Sequence, residues 1–216
     1  MAHPGLTEFH NVNGGVRWRL TEEGMFIDGS GIERTQGQPV TVTNVWERYH
    51  EAINEWAAHF NVSCELILAT ICTESRGKPA VLRPEPGFVS DAQTPDRVSV
   101  GLMQTLISTA RETLRNPAID RAWLLIPGHS IQAGTSYINQ QRGITQLDPP
   151  KVACAYNAGG LHHNNNPTNR WRMRQFPIGT AEHCDRFVKW FNDAVAMLKT
   201  HPIRPVLSLE TFLRGA

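Results

Sequence analysis

Residues 63–75 read SCELILATICTES, and this stretch decides the fold prediction. Ser63 is suited to cap a helix, and Ile67 and Ile71 follow at helical spacing, so one apolar face leads up to Glu74. A carboxylate at the end of an apolar stripe is unusual, because glutamate is rarely buried without a partner. Partial burial would raise its pKa and keep it protonated near neutral pH, as a general acid requires. The alternative is a helix-end glutamate that points into solvent.

Helical periodicity continues on both sides of this stretch, so the sequence predicts a mostly α protein. Residues 91–100 and the polar residues 161–179 are predicted to be loops. Good capping residues or proline in the first turn mark several of the helix starts. The first expected helix starts after the N-cap Asn44, and the next three span 63–74, 108–115 and 129–142. A short helix starts at Asp148-Pro149-Pro150 and ends near Asn157, and the last long helix starts after Thr180.

The two ends of the chain differ from this helical region. Residues 1–43 contain the alternating pieces Val16–Leu20 and Met25–Ile27 between glycine turns, which indicates short strands or irregular structure. We expect residues 1–43 to form an arm that packs on the main domain or serves as a small docking piece. Residues 44–200 are expected to form the main domain, and the leucine-rich tail 201–216 to pack back on it.

Composition excludes several classes of function. The 216 residues carry 21 Lys and Arg against 20 Asp and Glu, so the net charge of +1 gives no support for nucleic-acid binding. The four cysteines form no CxxC pair, which favours buried thiols over a metal site and leaves a disulfide open. No nucleotide or dinucleotide motif appears, so no cofactor is expected. Neither a membrane span nor a secretory leader is visible.

Three short blocks carry a more specific signal when they are taken together and in order. They are Glu74-Ser75, Gly101-Leu102-Met103-Gln104 and Ala155-Tyr156-Asn157-Ala158-Gly159. This trio resembles the lytic transglycosylase (SLT) and goose-type lysozyme superfamily, over roughly residues 55–195. The resemblance implies a lysozyme-like α fold with a saccharide cleft. It also implies cleavage of peptidoglycan glycan strands between N-acetylmuramic acid and N-acetylglucosamine, with these strands as the partner.

The resemblance further implies roles for the first two blocks. Glu74 corresponds to the catalytic acid, and Ser75 would support it or the substrate by hydrogen bonding. Gly101 would let the backbone approach the sugar, because glycine has no side chain in the way. Met103 would line the cleft beside the N-acetyl group, and Gln104 would form hydrogen bonds within the site.

The third block and the loop after it complete the expected substrate site. Tyr156 would place its hydroxyl close to Glu74 or the sugar, and Asn157 would hold the turn and contact substrate. The loop after Gly160 is rich in amides, arginines and aromatic rings, including His162, which suit sugars and peptide carboxylates. A solvated surface loop is the alternative reading of this segment.

The spacing between the first two blocks leaves the mechanism open. Twenty-six residues separate Glu74 from Gly101, a longer gap than in most transglycosylase relatives, and the insertion carries Glu85, Asp91 and Asp96. A single-acid site would use Glu74 as acid and then as base, and would give 1,6-anhydro products. A second carboxylate would instead activate water for hydrolysis. Asp96 is the better candidate for that carboxylate and Asp91 the next.

Other readings of the sequence are also kept. Chitin hydrolysis is a related activity, and a non-catalytic glycan-binding or phage virion module is the alternative from a different class. Because no leader is visible, a wall-cutting enzyme would reach its substrate through phage lysis machinery, a phage particle or a dedicated secretion system. A monomer is assumed.

Overall fold

A computed structural model describes residues 4–214 of the chain. The helices of this part, after one 3₁₀ turn at Pro4–Leu6, are α1 Val40–Phe60, α2 Cys64–Glu74, α3 Ile107–Thr113, α4 Arg121–Leu124, α5 Pro127–Gln140, α6 Arg142–Thr145, α7 Pro149–Ala158, α8 Glu182–Thr200 and α9 Leu209–Arg214. Its strands are β1 Trp18–Thr21, β2 Gly24–Ile27, β3 Leu82–Pro84, β4 Val98–Val100 and β5 Thr105–Leu106. The prediction of a mostly α protein with a small β arm is confirmed.

Helix α2 lies at the centre of the molecule. Residues 64–73 are all buried, and the helix packs against α1, α5 and α8. A helix that is buried on every side belongs to the core, so the single predicted stripe understates the burial of α2. The helix starts after Ser63 as predicted, although the Ser63 side chain makes no capping hydrogen bond. Glu74 ends the helix, which therefore delivers one carboxylate from the core to a surface.

Helix α1 begins earlier than predicted. Its first residue is Val40, and Asn44 lies inside the helix rather than at its N-cap. The amide of Thr43 donates to the carbonyl of Pro39, so the hydrogen-bonded turn is already closed before Asn44. The arm that precedes the helical region consequently ends at Pro39. The helix ends at Phe60, and the C-cap residue Asn61 adopts the left-handed conformation common at helix C-termini.

The N-terminal arm packs into the main core. Strands β1 and β2 form an antiparallel hairpin in which Trp18 faces Ile27, and the apolar side chains on its inner face are buried with those of α2 and α8. The Asn192 side chain of α8 accepts from the amide of Met25 at 2.7 Å and donates to the carbonyl of Glu33 at 2.8 Å. The hairpin is thus tied to the helices by both apolar packing and hydrogen bonds.

The sheet β3-β4-β5 was not predicted, because residues 91–100 were expected to be loop. Val98–Val100 instead pairs antiparallel with β3 on one side and with β5 on the other. A strand of three residues is too short to show a period of two, and the turn-rich residues before it hide it further. Val98 and Val100 belong to a second, smaller apolar core that includes Ile107 and Leu124.

The C-terminal half follows the sequence closely. Helix α7 starts after Asp148 and ends at Gly159, which is left-handed, as the Pro-Pro start and Gly-Gly stop indicate. The tail packs back through Leu209 and Phe212, and the amide of Leu209 donates to the buried Glu65 carboxylate at 2.9 Å. One apolar face of α8 is buried throughout, and it consists of Cys184, Phe187, Val188, Phe191, Val195 and Leu198. The four cysteines are buried free thiols, Cys64, Cys72, Cys154 and Cys184.

None of the helices in the described part of the chain is both long enough and apolar enough to cross a bilayer.

Candidate active site

A cleft of about 590 Å³ opens where the end of α2 meets the sheet β3-β4-β5 and the helices α7 and α8. It brings together residues from elements of the main core and of the second core. A more open groove of about 700 Å³ lies between residues 34–39, α1 and α8, but it contains none of the three sequence blocks. The cleft is lined by Glu74, Arg83, Glu85, Ser99, Gln104, Thr105, Leu106, Thr109, Tyr137, Tyr156, Asn157, Gly159, Phe176, Pro177, His183 and Arg186.

Glu74 lies in the wall of this cleft with only 8% of its side chain exposed. Its Oε2 is 3.9 Å from Nη1 of Arg83, and its Oε1 is 3.6 Å from Nε2 of His183. Both separations are longer than a hydrogen bond. Burial raises the pKa of Glu74 to about 7, although the positive charges of Arg83 and Arg186 act in the opposite direction. The carboxyl is therefore able to give up a proton and take one back near neutral pH.

Ser75 fixes the end of α2 to the second sequence block. Its hydroxyl donates to the carbonyl of Leu102 at 2.7 Å and lies 3.2 Å from the carbonyl of Ile71. Ser75 is buried and does not line the cleft, so of its two expected roles the structure favours support of Glu74 over contact with substrate.

The backbone of Gly101 is closely packed against residues 124–130. Gly101 has a positive φ of 78°, and a Cβ there would lie 2.4 Å from the carbonyl oxygen of Leu124. The amide of Gly101 donates to the carbonyl of Val81. Gly101 is not among the residues that line the cleft, and the space of a side chain there is filled by Leu124 and Ser130, while the expected close approach of its backbone to a sugar stays a prediction.

The side chain of Met103 does not line the cleft either. Its side chain is fully buried and packs so closely on Gly134 of α5 that a Cβ there would meet the sulfur at 2.5 Å. The expected contact of this side chain with an N-acetyl group is therefore not supported. What the residue presents towards α7 is its backbone carbonyl, which accepts from the Tyr156 hydroxyl at 2.8 Å.

Gln104 does line the cleft, in a left-handed backbone conformation with φ of 49°. Its Nε2 donates to the carbonyls of Val81 and Gly101 at 2.9 and 2.8 Å, so the amide orientation is fixed. Its Oε1 is buried and has no partner within the described residues. Buried acceptors are normally satisfied, so this oxygen is an unpaired acceptor on a residue of the cleft wall.

Tyr156 and Asn157 bring the third block to the same place. The Tyr156 hydroxyl lies between the Met103 carbonyl and Thr105 Oγ1, which is 3.1 Å away. Burial, together with the charge of Glu74, raises the pKa of Tyr156 well above its usual value, so the phenol stays neutral. Asn157 holds the far wall, because its Oδ1 accepts from the amide of Phe176 at 2.6 Å.

Asp91 and Asp96, the expected second carboxylates, do not line the cleft. Asp91 is held by Arg121 through two contacts, of 2.6 and 3.0 Å, on the outer side of the smaller core. Asp96 is 60% exposed and pairs with its neighbour Arg97 at 3.6 Å. Asp91 is therefore neutralised by Arg121 and Asp96 is solvated, and both lie outside the cleft that contains Glu74. From the insertion, Glu85 lines the cleft instead.

His162 is exposed and lies outside the cleft, so its expected contact with substrate is not supported. The loop after Gly160 has a largely structural role. Trp171 is buried against Trp18, and Arg170 bridges Glu33 and Asp185. From this loop the structure brings Phe176 and Pro177, near its end, to the rim of the cleft.

Several cleft residues escaped the sequence analysis, including Arg83, Tyr137, His183 and Arg186. A signal for His183 existed, because it precedes Phe187 by one helical turn and so falls on the buried stripe of α8. For Arg83 no local pattern was available, since its position depends on the pairing of β3 with β4. Within residues 4–214 no three His, Cys, Asp or Glu side chains gather in a way that suits a metal ion.

Comparison with known proteins assigns this arrangement to a family. The family model for the transglycosylase SLT domain matches residues 51–174, more than half of the chain. No curated protein matches the sequence.

Three solved structures of lytic transglycosylases are similar to this chain at low sequence identity. The 70-kDa soluble lytic transglycosylase in complex with bulgecin A is 21% identical with a TM-score of 0.50, over 77% of this chain and 27% of that chain. The Escherichia coli 70-kDa soluble lytic transglycosylase is 22% identical, with a TM-score of 0.47 over 78% of this chain and 27% of that one. An inactive mutant of lytic transglycosylase Slt from Pseudomonas aeruginosa is 20% identical, with a TM-score of 0.48 over 76% and 26%. The chain spans about a quarter of the length of these structures.

Proposed function

The chain belongs to the transglycosylase SLT domain family, and on that premise we propose that it cleaves the β-1,4 bond between N-acetylmuramic acid and N-acetylglucosamine in peptidoglycan glycan strands. The observation that carries the proposal is the position of Glu74, a buried carboxyl whose pKa is raised to about 7, in the wall of a cleft formed by all three sequence blocks. A carboxyl in this state is the group that a glycosidic oxygen requires as its proton donor.

The proposed reaction uses Glu74 twice. Its carboxyl protonates the glycosidic oxygen as the bond from that oxygen to C1 of the muramic acid breaks, and the N-acetyl group of the same sugar assists. The resulting carboxylate then removes the proton from the C6 hydroxyl, whose oxygen closes on C1. The product is a 1,6-anhydromuramyl end, no water is consumed, and Glu74 regains its proton.

The other cleft residues suit an amino-sugar substrate. The unpaired Oε1 of Gln104 offers a fixed acceptor for a sugar N–H or O–H group. The exposed ring of Phe176 at the rim offers an apolar face for a pyranose. Arg83 and Arg186 place two positive charges beside Glu74, where they suit the carboxylates of the peptide stem.

A hydrolytic reaction is the second candidate, and the observation that favours it is the presence of Glu85 in the same cleft. A second carboxylate roughly 6.5–9.5 Å from the acid can activate water in an inverting hydrolase. In that case Glu85 takes the role that the sequence had suggested for Asp96 or Asp91. Chitin would then be a further substrate to try.

Mass spectrometry of the fragments released from purified peptidoglycan tests the proposal. We expect anhydro ends, which are lighter than reducing ends by one water, from the wild type and from Glu85→Gln. Glu74→Gln should reduce their release by about 100- to 10,000-fold, the usual contribution of a general acid. Reducing ends that disappear in Glu85→Gln would instead establish hydrolysis. Equal release by Glu74→Gln and wild type, or none by either, would point to a non-catalytic glycan-binding or virion module.

We also propose that the protein acts at the bacterial cell wall, since that is where this substrate lies. Phage lysis machinery, a phage particle or a secretion system would each deliver it there, and wall cleavage would make it antibacterial. Detection of the protein inside purified phage particles would support the virion route, and its detection only in host lysates at the time of lysis would support the lysis route.

A further inference from the structure

His183 and Arg83 of β3 lie near different oxygens of the Glu74 carboxyl. It lies in the first turn of α8, is only 4% exposed, and places Nε2 at 3.6 Å from Oε1 of Glu74. Arg83 approaches the other carboxyl oxygen, Oε2, at 3.9 Å. The two oxygens of Glu74 therefore have different neighbours, and the imidazole is the better shielded of the two.

The neighbour of Nδ1, the second ring nitrogen of His183, indicates which tautomer the ring adopts. Nη2 of Arg186 lies 3.5 Å from Nδ1. A guanidinium has only donors, so this contact favours the tautomer in which Nδ1 accepts and the neutral imidazole carries its hydrogen on Nε2. Burial, together with the charges of Arg186 and Arg83, lowers the pKa of His183 to about 3, so the ring is neutral at physiological pH.

On the basis of the proposed function, we propose that His183 is a positioning residue whose Nε2–H faces Oε1 of Glu74, leaves the transferable proton on Oε2 and stabilises the carboxylate formed after proton transfer. An N–H group beside Oε1 disfavours a second hydrogen on that oxygen. The separation of 3.6 Å is that of the free enzyme, and catalytic hydrogen bonds commonly shorten when substrate binds.

The remaining charged and titratable groups around Glu74 do not supply this contact. Arg83 from β3 and Arg186 from α8 are permanent charges that favour the carboxylate. Tyr156 from α7 has its pKa raised, and its hydroxyl is committed to the Met103 carbonyl. Glu85 lines the same cleft beyond β3 and carries no donor when ionised.

A matched pair of substitutions separates the donor from the volume of the ring. His183→Met fills similar space without a donor, whereas His183→Gln keeps an N–H group. We expect His183→Met to lower kcat about tenfold with little change in KM, and to move the alkaline limb of the pH profile up by about one unit, because loss of the N–H group that faces the carboxylate favours the protonated form. His183→Gln should recover most of the activity and the original profile.

Two NMR measurements on the protein without substrate keep this test separate from that of the proposed function. Nitrogen-15 spectra of labelled histidine should report hydrogen on Nε2 of His183. Carbon-13 titration of the Glu74 carboxyl should give a higher pKa in His183→Met than in the wild type. Hydrogen on Nδ1, an unchanged Glu74 pKa, or equal loss of activity in both variants with an unchanged pH profile would each overturn the proposal. If the wild type does not cleave peptidoglycan but the NMR results hold, the proposed function fails and the role of His183 in setting the Glu74 proton stands.

Discussion

The hydroxyl of Tyr156 donates a hydrogen bond of 2.8 Å to the backbone carbonyl of Met103, and this bond joins the third sequence block to the second. Ser75 joins the second block to the first in the same way, through the carbonyl of Leu102 at 2.7 Å. Three segments that are distant in sequence are therefore held by side chain to backbone bonds immediately behind Glu74. These bonds fix the wall of the cleft in which Glu74 lies.

Loss of the Tyr156 hydroxyl should destabilise the protein as well as weaken catalysis. In Tyr156→Phe the buried Met103 carbonyl loses its donor, which costs about 1–3 kcal/mol of unfolding free energy. Urea unfolding measures this change. Tyr137→Phe is the matched control, because that half-buried ring packs beside Tyr156 at 5.2 Å and should cost less. A Tyr156→Phe variant as stable as the wild type would contradict the structural role of this bond.

The pH dependence of cleavage should follow the protonation of Glu74. Its pKa is raised from 4.5 to about 7, so the acid is present below pH 7 and is lost as the pH rises through 7. We expect the rate to be nearly constant from pH 5 to 6 and to fall about tenfold per unit above pH 8. Initial rates on purified peptidoglycan, with circular dichroism at each pH to verify folding, measure the profile. Rates that rise between pH 7 and 9 would be incompatible with Glu74 as the acid.

Substitution of Gly101 should be costly because of packing rather than backbone conformation alone. Gly101 and Gly37 both have φ of +78°, but an added Cβ meets the Leu124 carbonyl oxygen at 2.4 Å in the first and nothing within 4 Å in the second. Gly37→Ala should cost about 1 kcal/mol from its left-handed conformation. Gly101→Ala should cost at least about 2 kcal/mol more, because a buried backbone must move. Thermal and urea unfolding of the two variants side by side test this, and equal losses would refute the packing argument.

Glu65 should make the stability depend on pH. Burial raises its pKa from 4.5 to about 7, although the Leu209 amide favours the charged form. A raised carboxyl pKa means that the native state holds a proton that the unfolded chain releases, so stability is fully present below pH 4.5 and is lost as the pH rises to 7. At about 1.4 kcal/mol per pKa unit the loss is about 3 kcal/mol.

Glu65→Gln removes this titration and tests the expectation. The difference in unfolding free energy between wild type and Glu65→Gln should shift in favour of the variant by about 3 kcal/mol from pH 4.5 to pH 8. Glu51→Gln, at an exposed position of α1, is the control and should leave the pH dependence of the wild type unchanged. A constant difference for Glu65→Gln across this range would contradict the raised pKa.

A helix or strand of this protein could be predicted from the sequence when the residues that determine it lie close together in the chain. Helix α2, the start of α7 after Asp148 and the buried stripe of α8 were predictable, because each is set by residues within a few turns of one another. The short strand β4 was not, since its partners come from before and after it in the chain and only their pairing makes it a strand.

The same distinction explains the candidate site. The position of Glu74 followed from the helix that bears it, and Gln104, Tyr156 and Asn157 reach the cleft as the three blocks indicated. Asp91 and Asp96 could not be assigned from their spacing, because the direction of a loop carboxylate depends on where Arg121 and Arg97 lie. Met103 is the instructive case, since its backbone contributes to the site while its side chain fills the core.

The hairpin β1–β2 sets a boundary for anyone who wishes to transplant this catalytic unit into another protein. Residues 51–174 match the family model, yet Trp18, Leu20, Met25 and Ile27 occupy the same core as α2 and α8. A fragment cut to the matched region would leave that core open and would also discard α8, including His183. A recombinant domain or a fusion built from this chain should therefore retain the residues from the 3₁₀ turn at Pro4 through the end of α9.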